Sequence, residues 1–187
     1  MSLLARRTST AYIMLFGAAA GFIASFLLTI DKIKILKDAQ FNPSCNISET
    51  LNCKGVMLSD QAEVFGFPNS LIGIAAFAIF IAIAVAILGG ADFPKWFWQL
   101  ALLGTTLGIL FSHWLAYQTT FVIGALCPYC MIAWFGNFVI LSGVIQELLR
   151  KRSDGDDPSI TRIIAAMPLF HLVWIVMVIG LAFVGVS

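Results

Sequence analysis

The sequence predicts an all-α, polytopic membrane protein, and three observations carry that prediction. Charged residues make up 11% of the 187-residue chain, where a soluble domain carries about 25%. Mean hydropathy is +0.94. The charges are also clustered and leave long apolar runs between them, and a helix needs about 20 apolar residues to cross a bilayer. The net charge of +1 comes with no basic patch, so nucleic acid is not expected as a partner.

The elements follow in order along what reads as a single integral membrane domain, residues 1–187. Ala11 to Ile30 holds no charge and is the first span. Arg6-Arg7 precede it as they would in a signal peptide or a twin-arginine signal. The apolar run is longer than a usual signal core and no cleavage site follows, so it reads as an anchor. Val64 to Ala91 is also free of charge, with the second span at 69–90. Trp96 to Gln146 contains no Asp, Glu, Lys or Arg, only His113. At about 1.5 Å per residue that run would make roughly 75 Å of helix, so it must fold back. Tyr117-Gln118-Thr119-Thr120 is the natural turn, giving spans near 96–116 and 121–146. Ile163 to Val186 supplies a fifth, expected at 163–186. Residues 147–162 contain RKRSDGDDPSITR, a polar inner connector. His113 and His171 read as an interface residue and a bundle-facing residue without assigned chemistry.

Lys and Arg counts orient the spans. With the N-terminus inside, the inner segments hold Arg6, Arg7, Lys95, Arg150, Lys151, Arg152 and Arg162, against Lys32, Lys34, Lys37 and Lys54 outside. Residues 31–68 then form a large outer loop. All four cysteines, Cys45, Cys53, Cys127 and Cys130, fall on the outer side, where an oxidising compartment lets disulfides persist.

Cys127 and Cys130 are three apart and share one helical face. Pro128 suits the first turn of a helix, so the pair opens or nearly opens the fourth helix. A thiolate in such a pair can have a lowered pKa, especially near a helix N-terminus. Trp134 and Asn137 continue the same stripe, and Asn137, polar at bilayer depth, should face the bundle. Three chemistries fit four cysteines: a redox relay, inert disulfides, or a four-thiolate zinc site. Zinc pairs have short spacings in both halves, and Cys45-X7-Cys53 is not one. No metal is expected.

The order of these features resembles the vitamin K epoxide reductase family, in its bacterial form involved in disulfide formation. The resemblance rests on CNISETLNCKGVMLSDQAEVFGFPNSLIG (Cys45 to Gly73) and CPYC (Cys127 to Cys130), and covers roughly residues 11–147. In the other class of quinone-coupled membrane thiol oxidases the Cys-X-X-Cys pair comes first, so the order here is reversed. The resemblance implies a four-helix bundle around a quinone site near the outer surface, plus a fifth helix. It makes Cys45 and Cys53 the loop pair, and Cys127 and Cys130 the pair that passes electrons to menaquinone or ubiquinone. Cys130 would face the quinone, and Asn69 would donate a hydrogen bond to a quinone oxygen, unless it only caps its helix. Trp134 stands where vertebrate members carry a Tyr.

Met57 and Phe65, in the apolar stretches Val56-Met57-Leu58 and Val64-Phe65-Gly66-Phe67, are expected to cap the pocket. Because Cys53 must reach both Cys45 and Cys127, loop mobility is expected. Some relatives carry a fused thioredoxin-like domain after the fifth span. This sequence ends at Ser187 without one, so a separate secreted thioredoxin-fold partner is expected. The implied location is the plasma (inner) membrane of a bacterium, with the N-terminus cytoplasmic and the site on the periplasmic side. Recycling of a quinone or vitamin K epoxide is the alternative within this chemistry. A non-catalytic scaffold with structural disulfides is the alternative outside it.

Overall fold

The computed structural model describes residues 3–152 and, beyond them, 170, 173, 174, 176, 177 and 180. Most of the expected fifth span and most of the inner connector lie outside the described residues, as does His171. Five α-helices are described: α1 (Leu3–Lys37), α2 (Cys53–Met57), α3 (Asn69–Leu88), α4 (Lys95–Tyr117) and α5 (Pro128–Arg152). A 3-10 turn covers Asp60–Glu63. There is no strand among the described residues, only one isolated parallel bridge between Leu51 and Leu126. Four of the helices are long and apolar enough to cross a membrane, as an all-α polytopic membrane protein requires. In hydrocarbon every backbone polar group needs an internal partner, and a helix supplies it.

Two helix ends differ from the expected spans. α1 does not stop at Ile30 but continues to Lys37. Its extra turns are charged, yet Asp31 and Lys32 are buried because the segment that follows α1 folds back against them. Lys34 and Lys37 in the last turn favour the negative end of the helix dipole. The return from α4 to α5 is also longer than the expected four-residue turn. Gln118–Ile123 form a π-helical turn, and Gly124 follows with φ 68°, a left-handed conformation that costs glycine little. The Thr119 carbonyl accepts the Ala125 N–H at 3.0 Å, which closes the turn. The returning helix therefore begins at Pro128 rather than 121, with proline in its first turn where the missing N–H is no loss.

α1 packs against α3 on one side and α5 on the other, and α4 packs against α5. Small residues allow the close approaches, as is usual between helices in lipid. A Cβ added at Gly136 would lie 2.5 Å from the Gly17 carbonyl oxygen. Gly136→Val is therefore expected to force α5 away from α1 at a cost of roughly 1–3 kcal/mol. Thermal unfolding in detergent would read this as a lower Tm, and an unchanged Tm would contradict the close approach.

At the end of the bundle away from the cysteines, Asp92 in the α3–α4 loop gathers Lys151 at 2.5 Å, Arg150 at 3.0 Å and Arg7 at 3.1 Å. The Lys151 hydrogen bond first, then Arg150, holds the Asp92 carboxyl below its ordinary range. This cluster ties the start of α1 and the end of α5 to the same loop. The opposite end is left to the cysteines.

Candidate redox site

Local chain geometry brings three sulfurs together at one end of the bundle. Asn52 caps α2 by accepting the Gly55 N–H on its side-chain oxygen at 2.8 Å, so Cys53 becomes the first residue of that helix. The preceding residues pair with the segment leading into α5. The Asn52 N–H donates to the Leu126 carbonyl at 3.0 Å, and the Leu126 N–H to the Thr50 carbonyl at 2.7 Å. These two bonds place Cys53 beside Cys127.

Cys45 and Cys53 form a disulfide. The sulfur of Cys127 lies 3.2 Å from that of Cys53. Cys127 and Cys130 are free thiols. Cys45, Cys53 and Cys127 are all buried, in an apolar cluster with Leu28, Ile35, Phe41 and Tyr129. Cys53 thus reaches both of its expected exchange partners without a swing of the loop, and the expected mobility is unnecessary for that step. The three sulfurs lie within 4.8 Å of one another, close enough to grip a cation. Metal ligation needs thiolates, however, and two of these sulfurs share a covalent bond.

Cys127 sits immediately before α5 and acts as its cap. Its carbonyl accepts the Met131 N–H at 3.1 Å, and the Cys130 N–H points at its sulfur at 3.5 Å. The Cys127 thiol is held below the ordinary thiol range, first by a hydrogen bond from the Cys130 thiol and then by the backbone N–H groups of Cys130 and Tyr129. Burial and the Asp31 charge oppose this. Between the two cysteines, the Tyr129 hydroxyl shares a 2.9 Å hydrogen bond with the Ser44 hydroxyl, which ties the loop next to Cys45 to α5.

Beside the sulfurs lies a cavity walled by all four long helices and roofed by residues 56–62. Cys130 and Trp134 line it from α5, Asn69 from α3, Lys32 from α1 and Met57 from the roof. The structure does not bring Phe65 to it. The chain turns outward after the 3-10 turn, leaving Phe65 57% exposed and packed on Phe111 at 5.9 Å. The polar-flanked stretch Ser59–Ala62 takes the place at the roof that the apolar 64–67 stretch was expected to fill.

Asn69 does not cap α3, whose cap position is Pro68. Its amide nitrogen donates to the Gln61 carbonyl at 2.7 Å, and its side-chain oxygen is buried with no hydrogen-bond partner among the described residues. One of the two N–H groups expected to serve a ligand is thus committed to the roof. What remains is the other N–H and an unmet acceptor. The remaining N–H can donate to a quinone oxygen, whereas the unmet acceptor can be met only by a donor such as the hydroxyl of the reduced quinol. An apolar chamber with one such amide and a thiol in its wall fits a quinone head group. Trp134 is 4% exposed and serves as an aromatic wall.

Lys32 is the lining residue that sequence reasoning missed. A lysine just beyond an apolar run reads as an interfacial anchor, and the sequence gives no sign that it turns inward.

The model of the vitamin K epoxide reductase family matches residues 12–145, which spans all four cysteines, the roof and the four long helices. No curated protein matches the chain. With most of its length matched and a loop disulfide set against a Cys-X-X-Cys pair, the chain belongs to the vitamin K epoxide reductase family of quinone-linked thiol oxidoreductases.

Proposed function

We propose that the protein is a membrane thiol oxidase. It takes electrons from a secreted thioredoxin-fold partner and passes them through Cys45 and Cys53, then Cys127 and Cys130, to a membrane quinone. One observation carries this reading: Cys53 is bonded to Cys45 while lying 3.2 Å from Cys127, and Cys130 lines the adjoining cavity.

Each step is a thiol–disulfide exchange. A partner thiolate attacks Cys45, breaking the Cys45–Cys53 bond and releasing Cys53 as a thiolate. Cys53 attacks Cys127 of an oxidised Cys127–Cys130 pair, and Cys130 leaves as a thiolate in the cavity wall. The partner's second thiol then resolves its link to Cys45 and departs as a disulfide. Cys45 attacks Cys53, re-forming the loop disulfide and releasing Cys127. A low thiol pKa makes a good leaving group, which suits Cys127. The resulting state has a loop disulfide and two thiols at Cys127 and Cys130, the arrangement described above. A bound quinone supplies a two-electron, two-proton acceptor for that dithiol. Asn69 and the apolar wall orient the head group and exclude water.

The positive-inside count supports a site on the periplasmic face, and in this reading the membrane is a bacterial inner membrane and the acceptor menaquinone or ubiquinone. The net result is to reoxidise the partner and sustain disulfide formation in exported proteins.

The test is purified protein mixed with a reduced thioredoxin-fold protein and a quinone, with quinone reduction followed as each cysteine is replaced. Loss of turnover for all four replacements supports the relay. Full turnover without Cys130 would return the protein to the scaffold reading. Asn69→Leu is expected to raise the KM for quinone about tenfold, the loss of one buried hydrogen bond, with a smaller change in kcat. An unchanged KM would remove Asn69 from the site.

A further inference from the structure

Lys32 is a buried charge beside an apolar chamber, and burying an ammonium is costly unless it is paired. Its Nζ donates to the Met57 carbonyl at 2.6 Å and pairs with the Glu63 carboxylate at 2.9 Å. Met57 ends α2 and Glu63 ends the 3-10 turn. The residues between them include Ser59, Gln61 and Ala62 of the cavity roof. One ammonium on a long, packed helix therefore holds both ends of the roof.

The two ends are held unequally. The Met57 bond is buried. The Glu63 side chain is 40% exposed, against 8% for Lys32. The ion pair is thus the tie that water and salt can reach, and pairs of this kind are weak and screened. A third tie, from Asn69 to the Gln61 carbonyl, comes from inside the cavity.

We propose that the Lys32–Glu63 pair is a strap that keeps the roof segment 57–63 closed over the cavity and sets how readily the quinone is admitted and released. This rests on the cavity being the quinone site. Lys32 is then a positioning residue, acting through the roof. Its three N–H groups hold the Met57 carbonyl and the carboxylate together, a geometry that no apolar residue at this position would give. Opening requires the solvent-exposed half of the strap and the Asn69–Gln61 bond to break, so the roof can lift at the Glu63 end while α2, with Cys53, stays in place.

The experiment compares the wild type with Glu63→Gln, which keeps the shape and the Met57 bond but removes the charge, and with Lys32→Met, which removes both ties. Without quinone, amide hydrogen exchange over residues 57–63 is expected to be faster in Glu63→Gln than in the wild type, with α3 and α5 unchanged. High salt should speed the wild type and leave Glu63→Gln as it was. With a short-chain quinone, Glu63→Gln should raise KM about threefold, the size of a half-exposed pair, with kcat held or raised. If Lys32→Met does not fold, Glu63→Gln alone decides. Unchanged exchange over 57–63 together with an unchanged quinone KM would overturn the strap. A wild type that never reduces quinone would sink the functional reading instead, and the exchange comparison would still decide the strap.

Discussion

Replacing Cys130 with alanine is expected to reduce quinone turnover to background, a loss on the order of a thousandfold or more, as when other enzymes lose a reacting group. Among the four cysteines, Cys130 is the one that lines the cavity, while Cys127 faces Cys53. The variant also makes a covalent prediction. Without Cys130, Cys127 has no partner of its own and lies in contact with the Cys53 end of the loop disulfide. Attack there forms a Cys53–Cys127 bond and releases Cys45 as a thiol. Electrons balance, since one disulfide replaces another. Peptide mapping should recover residues 53 and 127 linked, with Cys45 alkylatable. Recovery of only the Cys45–Cys53 link, with normal turnover, would remove Cys130 from the relay.

The second large effect concerns a residue with no reactive group. Leu126→Pro removes the N–H that donates to the Thr50 carbonyl at 2.7 Å, one of the two backbone bonds that set Cys53 against Cys127. Exchange between sulfurs needs contact and alignment, and a misplacement of about 1 Å costs on the order of a hundredfold. Electron transfer from the partner is expected to fall by that order. The Cys45–Cys53 disulfide should still be reduced at its usual rate, because neither cysteine is altered. Stopped-flow thiol trapping separates the two steps. If transfer to Cys127 proceeds unimpaired in this variant, the backbone pairing is not what aligns the sulfurs.

These two sites mark the reach of the sequence. The helices were legible because lipid imposes one demand throughout: a charge-free run must satisfy its own backbone. The opening of α5 at the Cys-X-X-Cys pair was legible from Pro128, whose missing donor fits one place in a helix. The pairing of Leu51 with Leu126 left no trace, because main-chain bonds are available to nearly any residue. The continuation of α1 to Lys37 was hidden for a related reason. Its charges read as solvated loop until the roof folds back and supplies Lys32 with the Met57 carbonyl and Glu63. Phe65 misled in the opposite direction. An aromatic residue near a membrane packs as well on Phe111 at the lipid boundary as in a pocket, and hydropathy does not distinguish the two.

The burial of Cys127 also bears on chemical durability. A compartment that favours disulfides carries oxidants, and a thiolate exposed to them is driven through sulfenic to sulfinic acid, largely beyond repair. Cys127 is held below the ordinary thiol range, which favours such damage, yet it is fully enclosed, with Cys53 rather than solvent against its sulfur. The site thereby separates reactivity from accessibility: a thiol primed for exchange is shielded from peroxide.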